Sequence, residues 1–82
     1  MIHKTQIELI DNKHEELTGK ELLIPVDMVF RVDLVMSVRE HLEEETNEIN
    51  PDKCVIYFFE EKSFIIHTPY REMVKLFIEA NR

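Results

Sequence analysis

Cys54-Val55-Ile56-Tyr57-Phe58-Phe59 is a run of six apolar residues, bounded upstream by Asn50, Pro51 and Asp52 and downstream by Glu60, Glu61 and Lys62. Its shortness and its β-branched and aromatic content mark a strand. Side chains alternate along a strand, so Cys54, Ile56 and Phe58 share one face and Val55, Tyr57 and Phe59 the other. Both faces are apolar, which places this strand centrally in a sheet.

Downstream, Glu60 to Lys62 make a connection and residues 63–67 return as a partner strand carrying Phe64, Ile65 and Ile66, so the two form a β-hairpin. Thr68 then suits an N-cap, and Pro69 the first helical position, where a missing N–H is not needed. Tyr70, Met73, Val74, Phe77 and Ile78 recur at three and four residues, the stripe of an amphipathic helix over 69–80 that packs on the sheet. Lys75 and Arg82 suit the negative end of its dipole.

Upstream, Ile7 and Leu9 alternate with Gln6 and Glu8, which predicts a first strand over 5–10. Residues 11–20 read as a turn or hairpin loop; they hold Asn12 and the sole glycine, Gly19, where a positive φ costs least. Residues 21–24 form a short second strand ended by Pro25, which cannot donate a ladder hydrogen bond. Residues 26–36 alternate again through Val26, Met28, Phe30, Val32, Leu34 and Met36, and predict a third strand. Ser37 and Glu40 then lie at capping-box spacing, with Val38 and Leu42 four apart, which allows a short helix within 37–50. Residues 37–52 form an acidic insertion. Glu40, Glu43, Glu44, Glu45, Glu48 and Asp52 fall in 13 residues without a Lys or Arg, and read as a solvated, mobile face.

The fold class is therefore α+β: a small curled antiparallel sheet of about five strands, a C-terminal helix packed on it, and an acidic helix inserted after the third strand. All 82 residues make one domain. A chain this short buries only roughly 60 to 65% of its extended surface. One helix covers one side of a sheet. Leaving two aromatics wet on the other, at ~25 cal/mol per Å² over ~150 Å² each, forgoes several kcal/mol. Closure of the sheet on itself or a homodimer is expected to supply the missing cover.

Ten Lys and Arg stand against 17 Asp and Glu, a formal charge of -7. The cations, among them Lys4, Lys20, Arg31, Lys62 and Arg82, are scattered, so nucleic acid is not an expected partner. The single cysteine, Cys54, forms no intramolecular disulfide, and a reducing cytoplasm is the expected setting. Residues 1–6 carry no apolar signal region and no stretch is long enough to span a bilayer, so neither a signal peptide nor a membrane anchor is expected.

No catalytic constellation emerges. His14-Glu15-Glu16-Leu17-Thr18 lacks the second histidine of a zinc-protease helix. His41 and Glu45 supply at most two ligands, and Glu43 to Glu45 lack the spaced oxygens and glycine of a calcium loop. Cys54 and His67 would make a nucleophile and base, but the thiol lies in an apolar strand that hides it. One glycine permits no phosphate-binding loop. No enzymatic activity, metal or cofactor is expected.

Glu21 to Val29, Val55 to Phe58 with Ser63 to Ile66, and Thr68 to Val74 together resemble the pattern of small bacterial FlbD-like proteins. Here Glu60-Glu61-Lys62 stands where a glycine-bearing turn is usual, and residues 37–52 are inserted. The hairpin and helix also resemble part of the LytTR DNA-binding domains, without their basic loops. The resemblance implies a bacterial, non-catalytic regulatory module. Tyr57, Phe59 and Ile65 are the candidate contact residues for a protein partner or a second copy. A second reading makes Glu43, Glu44, Glu45 and Glu48, with Glu40 and Asp52, a phosphate mimic that occupies the groove of a basic nucleic-acid-binding protein.

Overall fold

The computed structural model describes residues 1–10, 16–19, 22–59 and 61–82. Five strands, β1 (Ile2–Ile10), β2 (Leu23–Arg31), β3 (Val35–Leu42), β4 (Ile49–Phe58) and β5 (Ser63–Ile66), form one antiparallel sheet in the order β2-β1-β5-β4-β3. The helix α1 (Tyr70–Ala80) packs on one face. The expected fold class is the one observed. The apolar run lies in β4, paired on both sides, and hairpins with β5 as its pattern requires.

The sheet is curled and not closed. Its edge strands β2 and β3 are joined by only a three-residue 3-10 turn, Val32–Leu34. Four strand spacings of about 4.8 Å would separate them by roughly 19 Å in a flat sheet. The step from Arg31 to Val35 reaches at most about 14 Å. Curling resolves the mismatch, and the rings record it: Phe30 of β2 meets Phe58 of β4 edge-on at 5.9 Å, although two strands lie between. His3 and Phe64 extend this row of rings at 5.7 and 5.9 Å. Ile7, Val32, Val35, Cys54, Ile56, Ile66 and Met73 complete the buried core.

Several boundaries differ from those expected. β1 begins earlier, at Ile2. Pro25 does not end the second strand but sits within β2, opposite Glu8. The Gln6 carbonyl accepts from the His67 N–H, at 2.8 Å, so even-numbered residues of β1 turn their backbone toward β5. The Glu8–Pro25 pair is then a non-hydrogen-bonded one, and Pro25 points its nitrogen at the open edge, where no donor is needed. The third strand expected over 26–36 is broken at Val32–Leu34, where curl demands a corner.

The helix expected within 37–50 does not form. Residues 35–42 are strand β3, and 43–48 turn into β4 with Asn47 at φ 60. Pairing with the strongly determined β4 outweighs a capping-box spacing that had only Val38 and Leu42 behind it. A wide irregularity follows, because Glu40 pairs with Cys54 while His41 pairs with Asn50. The loop expected at 11–20 lies mostly outside the described residues; of those described, 16–18 are helical rather than loop, and Gly19 has φ +71.

α1 starts one residue later than expected, with Pro69 at the cap position and no side-chain cap. The Thr68 hydroxyl is instead 2.7 Å from that of Thr5 and 3.0 Å from His3 Nε2. Leu76 and Ala80 join Tyr70, Met73 and Phe77 against the core, whereas Ile78 is exposed. Neither Lys75 nor Arg82 lies in the last turn; Asn81 Nδ2 donates to the Phe77 carbonyl there, at 2.8 Å.

Candidate functional site

β4 presents Cys54, Ile56 and Phe58 to the helix and Lys53, Val55 and Tyr57 outward. The outward face was expected to need closure of the sheet on itself or another subunit, yet Val55 is only 4% exposed within one protomer. The cover comes from neighbouring strands. Arg39 of β3 lies 5.8 Å above the Tyr57 ring and its Nε donates to the Tyr57 hydroxyl at 2.7 Å. Its stem shields apolar surface while the guanidinium stays wet. Ile65 of β5 is paired with Val55 and half-buried.

On the same face, Glu8 of β1 accepts from Lys53 of β4 and lies 2.9 Å from His67 Nε2 beyond β5. Burial alone would push the Glu8 carboxyl up; the hydrogen bonds and charges of Lys53 and His67 outweigh it and hold the group below the usual glutamate value. This row spans the narrowest seam of the sheet, where β1 and β5 share one residue pair, Ile7 with Ile66.

An unguarded apolar surface lies at the end of the β4–β5 hairpin. Phe59, just past β4, is 71% exposed, and Met36 of β3 is 54% exposed beside it. With Ser37, Tyr57, Phe58 and Glu61 they line a shallow groove of about 340 Å³. Of the expected contact residues, Tyr57 and Phe59 meet here, whereas Ile65 lies apart beside Val55. Met36 and Glu61 were not anticipated. Met36 follows the alternation of 26–36 and reads as core; the corner at Val32–Leu34 and the register shift between Val35 and Ser37 leave it unpaired and exposed. Glu61 adopts φ 62, the conformation a turn glycine would take.

A second cleft of about 390 Å³ lies where β1 passes the start of α1, lined by His3, Thr5, Gln6, Asp27, Thr68 and Glu72 among others. Its hydroxyls and ring nitrogen satisfy one another, and Gln6 Nε2 donates to Asp27 at 3.1 Å.

Of the acidic residues, Glu43, Glu44, Glu45 and Glu48 occupy the β3–β4 turn, whereas Glu40 lies in β3 and Asp52 in β4, so the segment is part of the sheet and not an insertion. The Glu43 N–H donates to the Glu48 carbonyl and the Asn47 N–H to the Glu43 carbonyl, at 2.9 and 2.8 Å. Asn50 Nδ2 holds the Glu43 carboxylate at 2.8 Å, and His41 approaches Glu43, not Glu45, at 3.6 Å. Glu44, Glu45 and Glu48 are exposed. Cys54 and His67 lie on opposite faces of the sheet, and burial pushes the thiol up to about 11. Among the described residues no three His, Cys, Asp or Glu side chains gather as a metal site, and no helix is long and apolar enough to cross a membrane. Compared with family models, curated proteins and solved structures, the chain matches none.

Proposed function

We propose that this chain is a non-catalytic, cytoplasmic protein-binding module that works as a homodimer through the Met36–Tyr57–Phe59 groove. The exposure of Phe59 and Met36 side by side carries the reading, because both forgo burial that the protomer gives to Val55. Charge favours a second copy as the occupant. The chain carries -7, yet among the described residues Glu61 is the only acid lining the groove. Equally acidic molecules approach most readily where like charge is thinnest. Light scattering across a concentration series tests it: a dimer is expected, and Phe59→Ser with Met36→Ser is expected to abolish it. A strict monomer at millimolar concentration overturns the reading.

The phosphate-mimic reading draws support from one observation, that Glu44, Glu45 and Glu48 project from a hydrogen-bonded turn. It demands binding to a basic protein that weakens steeply with salt and disappears when the three are changed to glutamine.

A further inference from the structure

The β1–β2 hairpin is held to the rest of the molecule in an unusual way. Within the hairpin, nine residue pairs run unbroken from Ile2–Arg31 to Ile10–Leu23. Toward β5 there is one pair, Ile7–Ile66, with one backbone hydrogen bond from the His67 N–H to the Gln6 carbonyl, and the other polar links across the seam are between side chains: His3 and Thr5 to Thr68, and Glu8 to Lys53 and His67. The covalent link is the three-residue turn Val32–Leu34.

That turn is where sequence and structure disagree. Alternation through Val26, Met28, Phe30, Val32, Leu34 and Met36 is the pattern of one continuous strand. The folded protomer breaks it at a corner, where Asp33 Oδ2 accepts from Arg31 at 2.7 Å while Oδ1 is buried without a hydrogen bond, 4.0 Å from the Met1 amino group. Such a conflict between local preference and tertiary demand marks a site with a competing conformation. Short connections of this kind invite exchange of identical elements between copies.

We infer that two copies exchange their β1–β2 hairpins: the Val32–Leu34 turn straightens, β2 and β3 become one strand, and each hairpin docks on the β5 and β4 of the other copy. Every seam contact is then remade between chains. The inference shares only the second copy with the groove reading, since its contacts lie at the seam.

The test uses two single variants, Thr5→Cys and Thr68→Cys, whose hydroxyl oxygens are 2.7 Å apart in the protomer, within reach for a disulfide. Cys54 stays as it is, buried and protonated at neutral pH. The two variants are unfolded, mixed, refolded together at high concentration and oxidised. A covalent dimer is expected, absent when each is refolded alone and mixed afterwards. Deleting Asp33 is expected to raise its yield several-fold, inserting three glycines after Val32 to abolish it, and Phe59→Ser to leave it unchanged. No covalent dimer, with or without the deletion, overturns the exchange, and so does equal cross-linking in both mixing orders. A light-scattering dimer without the cross-link overturns the exchange alone; a glycine-insertion variant, in which exchange is blocked, that is a strict monomer or whose dimer survives Phe59→Ser with Met36→Ser overturns the groove alone.

Discussion

The two faces of β4 reach nearly the same burial by different means. Beneath α1, Cys54 and Ile56 are covered by a helix whose Met73 reaches full burial. On the outward face, Val55 is 4% exposed beneath Arg39, Tyr57 and Ile65. A helix removes area from water wholesale, and its cover is apolar on the inner side. Long side chains from adjacent strands do the same locally and keep their charges in solvent. A strand greasy on both sides therefore does not require a second layer on each.

The difference predicts a graded series. Ile56→Ala removes packing from the helix-covered face and should destabilise by about 2–5 kcal/mol in denaturant unfolding. Val55→Ala should cost about 2 kcal/mol; a value under about 0.5 would mean that the side-chain cover is loose and the faces are not equivalent.

Glu8→Gln, which weakens the ionic row on the outward face, should cost about 1.5 kcal/mol at neutral pH. Glu8 has a lowered pKa, so its contribution is full above the usual glutamate value and is lost as pH falls through the lowered one. Stability of the original protein should thus fall more steeply below pH 4.5 than that of Glu8→Gln, as read by unfolding at a series of pH values.

Arg39→Ala should cost about 1 kcal/mol, through lost cover more than lost charge, and should raise Tyr57 quenching by acrylamide. Phe59→Ser should change monomer stability by no more than about 0.5 kcal/mol, because its ring is already in water. A larger loss would place Phe59 in the fold and remove it from the contact surface.

Much of this was legible in the chain, and the failures share a cause. The β4–β5 hairpin and α1 follow from Cys54 to Phe59, from Phe64 to Ile66 and from the Tyr70–Met73–Phe77 spacing, because each segment is apolar enough to declare its own period. β3 was misread because Ser37 to Leu42 is an edge strand with few apolar residues, and its pairing with β4 leaves no trace in its own composition. The corner at Val32–Leu34 was invisible because nothing local requires it. At the groove, Tyr57 and Phe59 were found from their place in the apolar run, whereas Met36 was hidden by an alternation that marked it as core.

The amino-acid order alone determined the class, the acidic charge, the central hairpin and the closing helix, since those depend on periodicity and on hydrophobic content within a few residues. Only the tertiary structure decided the strand order β2-β1-β5-β4-β3, the turn between its edges and the means by which Val55 is kept dry. Those depend on how residues far apart in the chain share one curved surface, and the reach of three residues between two edges is a constraint that no single segment carries.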